Sequence, residues 1–451
     1  MTPTPTPPAA GTSAADTAAG GTETADTAAA DTAAAGTSAA GASAAGASAT
    51  APVSSTSSPQ AVEQVMAQVR AQVRPEGAPE RMLPASAYTS AEVLSWERRH
   101  LFAGTWTCLG RVDEVLAAGH GKPMTQRALM VGDIQVLLVR DPDRAVGAGL
   151  RLFANTCRHR GHELLPTDES STRATVLCPY HAWTFNLDGS LRAAPGFRDL
   201  EGFDPAGFGL VELPVEVWCG WVFAHALHPL GSPEVPDFRT HLGALTDIIE
   251  AYAPGDLVLA DRHTYEVAAN WKVVAENYHE CYHCPLIHPE LCQVSPPDSG
   301  DNYDLPGAWI GGAMVLRDGM RTMSLTGDLA ATPIPGVDPT RIEYLHVLTN
   351  LLISAHPDYV MTHRLMPLAP NRTWIECSWL VLAPSDGSAP SASRAVEFWD
   401  LTNRQDWGAC ESVQRGLASP HFAPGPFAPA EDAVAQMVTT MARAYHGRPL
   451  T

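Results

Sequence analysis

The first sixty residues contain neither lysine nor arginine. A transit peptide is Arg-rich and poor in acids, and a secretory signal opens on a basic segment followed by an apolar run, so neither is expected here. Residues 1–60 are Ala, Thr, Ser, Gly and Pro with acids at Asp16, Glu23, Asp26 and Asp31. Such a stretch buries too little apolar surface to offset the cost of ordering, and it is expected to be a disordered low-complexity tail. No apolar run approaches the length of a membrane span, so no membrane association is expected. Positive charge is scarce throughout, with 29 Lys+Arg against 49 Asp+Glu and a formal net charge of −20. The chain therefore lacks the cationic surface that grips phosphate, and no nucleic acid is expected as a partner. Nine cysteines, an odd number without a secretory signal, read as reduced thiols or ligands and imply a cytoplasmic setting. At 451 residues the chain has room for two or three domains.

Against these absences stands one crowded stretch. Residues 276–288 hold three histidines (His279, His283, His288), two glutamates (Glu276, Glu280) and two cysteines (Cys281, Cys284). Packing alone is a poor explanation, because every buried polar group must find a partner or cost free energy. Read as a helix, Glu280 and His283 share a face as an i, i+3 pair, whereas His288 lies roughly 140° away. Pro285 is expected to end the helix near His283, leaving His288 free to swing back from the following turn. Two imidazoles could then converge on one ion, with a carboxylate from elsewhere completing the facial triad that leaves open positions on non-heme Fe(II). A zinc knot built on Cys281 and Cys284, and ordinary hydrogen-bonded core histidines, are the competing readings.

Upstream, a helix is expected over Ala61–Val73 and a second from the Ser90–Glu92 capping signal towards Phe102. Strand texture follows: a hairpin of Ala128–Val131 and Ile134–Val139 about Gly132–Asp133, then a strand Leu150–Asn155. That strand delivers Cys157 and His159. A strand Arg173–Leu177 delivers Cys178 and His181, followed by a hairpin over Trp183–Leu191. Two strand-to-loop units thus each present one cysteine and one histidine, which suits a binuclear cluster with both thiolates on one iron and both imidazoles on the other, the Rieske [2Fe–2S] arrangement. A zinc site made of the same four residues is the alternative. Gly161 and Pro179 favour tight loops over the cluster, with N–H groups free for the sulfides. Strands over Leu210–Phe223 close this unit and Pro229–Pro236 is a connector. Beyond it, Glu343–Leu352, Tyr359–Pro367 and Thr373–Leu382 read as antiparallel strands, Ser393–Gly416 as a long helix and Ala430–Tyr445 as an amphipathic one. Gly147 and Gly149 open like a dinucleotide fingerprint, but a third glycine is missing and a strand follows.

With these residues in view, the chain from about Pro84 onward resembles the catalytic α subunit of a Rieske non-heme iron oxygenase, of the aromatic-ring-hydroxylating dioxygenase family. The resemblance implies an α+β protein: an all-β Rieske domain over 105–228, an α+β catalytic domain with a helix-grip-like antiparallel sheet over 237–451, and N-terminal helices over 61–104. Cys157, His159, Cys178 and His181 fall on the family's cluster ligands. His283 and His288 fall on its iron histidines, after the Asn270–Trp271–Lys272 hallmark. The third iron ligand is expected at Asp406, in register before Glu411–Gly416, with Asp400 as the runner-up. Glu280 stands where most of the family has aspartate; it is expected to link His283 to the cluster histidine His181 of another chain, which implies a homotrimer. The surrounding motif is similar to the branch acting on glycine betaine, carnitine and choline. The expected cofactors are a [2Fe-2S] cluster and mononuclear Fe(II), and the expected partners are O2, a small substrate and a separate flavin/ferredoxin-type reductase. The expected reaction is hydroxylation or N-demethylation, with aromatic-ring dioxygenation or O-demethylation as the rival and a pure electron carrier further off. Tyr303, Trp309, Phe398 and Trp399 are candidate rings for an ammonium pocket.

Overall fold

The computed structural model describes residues 57–77, 81–117 and 124–450; nearly all of the expected low-complexity tail lies outside the described residues. The first helix, Pro59–Gln72, begins two residues before the expected start at Ala61. Ser58 caps it by accepting the Ala61 N–H, and Pro59 fills a first-turn position where no N–H is needed. Ser90 caps the helix Ala91–Glu97 through the N–H groups of Glu92 and Val93, and a π-helical turn, Arg98–Phe102, carries it to the expected end.

Three small antiparallel sheets follow. The five-stranded one holds the expected hairpin, Gln126–Val131 with Ile134–Arg140, closed at Val131↔Ile134. Gly132 turns it at φ 62°, and a Cβ there would lie 2.0 Å from the Arg98 carbonyl oxygen, so the hairpin packs directly on the π turn. Thr107–Arg111, Trp221–Ala224 and Val215–Trp218 make the second sheet. The third is Val176–Leu177, Thr184–Phe185 and Leu191–Ala193. Here the strand expected over Arg173–Leu177 shrinks to its last two residues.

The larger sheet is antiparallel and seven-stranded, in the order Val258–Val267, Arg372–Val381, Val360–Ala369, Leu351–Ala355, Arg341–Val347, Trp309–Val315, Asp301–Asn302. The strand expected over Glu343–Leu352 is in fact two, folded back at Leu348–Asn350 with Val347 opposite Leu351. Asn350 breaks the run because its side chain has other work: Oδ1 accepts the Cys108 N–H at 2.9 Å and Nδ2 donates to the Cys108 carbonyl at 3.0 Å. The helices Trp271–Tyr278, Ser393–Leu417 and Asp432–Tyr445 complete the α+β layout.

One buried polar cluster ties the ends of the chain to this sheet. Asn270 caps the helix Trp271–Tyr278 through the Lys272 N–H, while its Nδ2 donates to the carbonyls of Tyr88 and Pro370. Lys272, one of two lysines in the whole sequence, is fully buried and donates to Glu97 Oε1 at 2.6 Å. The Trp271 N–H and the Tyr445 hydroxyl also donate to Glu97, and the Tyr88 hydroxyl donates to Glu276 at 2.7 Å. Helices from the N-terminus, the middle and the C-terminus are thereby joined by charge as well as by the apolar core of Met66, Leu94, Val274 and Met437.

Removing one half of a buried ion pair strands the other, so Lys272→Met is expected to cost about 3–5 kcal/mol in urea unfolding. Burial raises the Glu276 carboxyl to about 7, against the pull of Tyr88 and Lys272. A carboxyl raised in the folded state stabilises fully only below its unfolded pKa, and the benefit fades as pH climbs through the folded one. Relative to Glu276→Gln, the wild-type chain is therefore expected to lose about 3 kcal/mol between about pH 4.5 and pH 7, read from urea midpoints.

Candidate functional site

The two loops that carry the paired cysteines and histidines fold alike. The Cys157 N–H donates to the His162 carbonyl and the Gly161 N–H returns to the Cys157 carbonyl; Cys178, Trp183 and Ala182 repeat the pattern. The fourth residue after each cysteine is left-handed, Gly161 at φ 74° and Ala182 at φ 56°. Gly161 thus spends its own N–H inside the turn, whereas those of His159 and Arg160 point at the Cys157 sulfur. Both cysteines are buried, and the His159 and His181 rings stand 4.8 Å apart. His159 stacks on Trp183 at 4.9 Å, and its Nδ1 is buried without a partner. An orphaned imidazole nitrogen beside two buried thiols fits a metal cluster, which would satisfy all three.

The second group lies at the far end of the helix Trp271–Tyr278. That helix, expected to run through His283, stops at Tyr278. Glu280 accounts for the early stop: Oε2 accepts the His283 N–H at 3.0 Å and Oε1 meets His283 Nδ1 at 2.5 Å, a local side-chain turn that competes with helical bonding. Pro285 then starts a helix, Cys284–Ile287, instead of ending one, because a first-turn position needs no N–H. His288 sits at the junction with the next helix, Pro289–Val294. Cys281 and Cys284, expected as thiols or ligands, are joined to each other: the turn brings their Cα atoms to 4.9 Å and the sulfurs are bonded. The other seven cysteines are free.

His283 Nε2 and His288 Nε2 lie 3.2 Å apart, and Asp406 Oδ1 is 3.4 Å from the first and 2.8 Å from the second. Among the described residues this is the one group of three or more potential ligands with donor atoms within 4.8 Å of one another. Asp400, the runner-up, is turned away, accepting from the Tyr265 hydroxyl and from Arg404. Six positions along a helix amount to about 240° of rotation, so Asp400 and Asp406 cannot share a face.

Each imidazole is held by an oxygen at Nδ1. Glu280 holds His283, and Gln405, which the sequence reading missed, holds His288 at 2.7 Å. An acceptor at Nδ1 puts the proton there and leaves the lone pair on Nε2. Two lone pairs and a carboxylate oxygen then face one point, which demands a positive charge. Burial pulls the His283 imidazolium down, yet Asp406 and Glu280 lift its pKa to about 9. Burial likewise pushes the Asp406 carboxyl up, and the two histidines bring it below its ordinary range. A proton answers this demand at one atom; a divalent ion answers it at all three. The donor set fits mononuclear iron.

A cavity of about 560 Å³ opens over this point, lined by Tyr278, Met314, Tyr344, His363, Trp399 and Trp407 among others. Of the four expected rings only Trp399 reaches it. Phe398 is buried in the core beside it, Trp309 packs in a different core cluster, and the Tyr303 hydroxyl is spent on Glu343. Which face of a strand or helix a ring occupies decided this. The wall instead runs Tyr344, Tyr278, His363, Trp407, with successive centroids 6.0, 6.4 and 6.1 Å apart.

Comparison with known proteins agrees with this architecture. Residues 105–204 match the Rieske [2Fe-2S] domain and residues 254–447 the ring hydroxylating alpha subunit catalytic domain. The glycine betaine monooxygenase oxygenase subunit of Pseudomonas aeruginosa is 28% identical over 380 residues, covering 76% of this chain and 84% of that one. The carnitine monooxygenase oxygenase subunit of Acinetobacter pittii is 37% identical over 208 residues, 46% of this chain and 52% of that one. Among solved structures, the quaternary ammonium Rieske monooxygenase CntA in complex with L-carnitine superposes with a TM-score of 0.61 at 25% identity, covering 82% of this chain and 99% of that one. Naphthalene 1,2-dioxygenase from Rhodococcus shares the fold, with a TM-score of 0.62 at 18% identity, covering 86% of this chain and 98% of that one.

The chain belongs to the Rieske non-heme iron oxygenases. It is the oxygenase subunit of such a system, with a [2Fe-2S] cluster and a mononuclear iron as cofactors, and it takes a substrate and O2 with electrons from a separate reductase. No helix among the described residues is long and apolar enough to cross a membrane.

Gln405→Leu is expected to weaken iron binding by about 10- to 100-fold, as the loss of an outer partner of a ligating imidazole does. Mononuclear iron retained against a chelator measures it. Cluster absorbance should not change, and Gln405→Glu, which keeps an acceptor, should hold its metal.

Proposed function

We propose that this subunit oxidises a C–H bond next to the nitrogen of a small methylated ammonium compound. The ring wall of Tyr344, Tyr278 and Trp407 beside the His283–His288–Asp406 group carries this reading, since aromatic faces attract quaternary ammonium and place its methyl groups against the metal point. The names of the relatives from Pseudomonas and Acinetobacter support it.

In this reading Cys157, His159, Cys178 and His181 hold the cluster, and His283, His288 and Asp406 hold the iron. When bound, the cluster passes single electrons and the iron activates dioxygen. The chain's own residues do the rest. Glu280 and Gln405 fix the two imidazoles, and the rings position the substrate and exclude water. One oxygen atom enters the C–H bond and the other leaves as water. Oxidation of an N-methyl group gives a hemiaminal that releases formaldehyde, whereas oxidation of another carbon beside the nitrogen keeps the methyls.

Glu280 is half-buried, and both of its carboxylate oxygens engage His283, Oε1 at Nδ1 and Oε2 at the backbone N–H, each keeping a second lone pair. We assign it the link to His181 of a neighbouring copy, which makes the working assembly a homotrimer served by a flavin/ferredoxin-type reductase. Seven free thiols against one local disulfide fit a cytoplasmic setting.

Oxygen uptake by purified protein with a surrogate reductase should rise with methylammonium compounds and stay at background with arenes; stimulation by arenes alone would refute the substrate class. Glu280→Gln should keep both metal centres yet lose turnover, whereas full turnover would remove its bridging role.

A further inference from the structure

Every charged side chain among the described cavity-lining residues, histidines aside, is a carboxylate. Glu280 and Asp406 lie within; Asp298, Asp301 and Asp432 stand exposed at the mouth. Two of the lining histidines, His279 and His363, lie away from the metal point. Burial, helped by neighbouring His346, holds His279 well below its ordinary pKa, and burial takes His363 to about 4, so both are neutral. His363 is 4% exposed, and its Nε2 meets Asn403 Oδ1 at 3.0 Å. Its Nδ1 is therefore a lone-pair acceptor, buried without a partner, and like the acids it turns away a carboxylate.

Several donors able to receive an acid are already engaged. The Tyr278 hydroxyl donates to the Ile353 carbonyl at 2.8 Å, the Thr402 hydroxyl to the Phe398 carbonyl at 3.0 Å, and the Trp399 N–H to the Tyr359 hydroxyl at 2.7 Å. The groups left include the Trp407 N–H, buried without a partner, and the Tyr344 hydroxyl, neutral donors that carry no charge to offset a carboxylate and serve an alcohol or ester oxygen. A substrate carboxylate would face acids and lone pairs, with the iron as its nearest cation, and ligation there would occupy the positions that oxygen needs.

We propose that this cavity selects a methylated ammonium monocation whose other arm ends in a neutral alcohol or ester, and rejects the corresponding carboxylate zwitterions, with Asp298, Asp301 and Asp432 gathering the cation at the mouth. This rests on the ammonium reading above and narrows it. Like-signed charge around a cleft raises the local concentration of the opposite ion, an effect that salt weakens.

Anaerobic titration calorimetry on the holoenzyme tests it with matched pairs: choline against glycine betaine, and the methyl ester of γ-butyrobetaine against the free acid. The monocation of each pair should bind at least about tenfold tighter, its Kd should rise with added salt, and Asp298→Asn/Asp301→Asn/Asp432→Asn should weaken it several-fold and narrow the gap. Equal or tighter binding of the zwitterions overturns the proposal, and an unchanged Kd in the triple variant overturns the role of the mouth. If no ammonium compound binds or stimulates oxygen uptake while arenes do, the ammonium reading itself has failed, and this selectivity with it.

Discussion

Lone pairs cannot share a buried point without a cation between them, and the catalytic end of this chain is arranged around that constraint. Glu280 and Gln405 accept hydrogen bonds from Nδ1 of His283 and His288, so both Nε2 atoms are turned towards Asp406, where a bound ion takes their lone pairs. The ligating geometry is thus imposed from behind. It stands at the edge of a cavity whose other charged groups, histidines aside, are also carboxylates, so the volume as a whole favours positive charge.

Such an arrangement must be held against its own repulsion, and the buried network around Glu97 and Lys272 does this from a distance. Asn270, Trp271 and Lys272 begin the helix that ends one residue before His279, and each is anchored: Asn270 to the backbone near Tyr88, Trp271 and Lys272 to Glu97. Because Glu97 also accepts from Tyr445, the terminal helix reports on the same clasp. A rigid start fixes where the loop of Glu280 and His283 emerges. The long helix Ser393–Leu417 supplies Gln405 and Asp406 from the opposite side.

Much of this was legible because the chemistry is local. Cys157 with His159, and Cys178 with His181, announce themselves by spacing, and the Ser90 cap and the Gly132 turn obey short-range rules. Reading failed where a side chain chose a distant or unexpected partner. Asn350 bonds to Cys108 and splits a strand; Glu280 bonds to its own loop and ends a helix early; Pro285 begins a helix where it was expected to close one. Trp309–Val315 and Val258–Val267 went unread as strands, the first because Gly311 and Gly312 interrupt its pattern.

The linear order of residues by itself determined the candidate cysteine–histidine pairs in two loops, the closeness of His283 to His288, and the acidic, lysine-poor character of the chain, since these depend on composition and short spacing. Asp406 was expected only from the register of the family that the chain resembles. Only the tertiary structure decided which rings face the metal point, that Gln405 stands behind His288, and that Asp298, Asp301 and Asp432 meet at one mouth. The physical reason is common to all three. Each turns on the direction in which a side chain leaves its helix, strand or loop relative to elements far away in sequence, and no short-range periodicity carries that information.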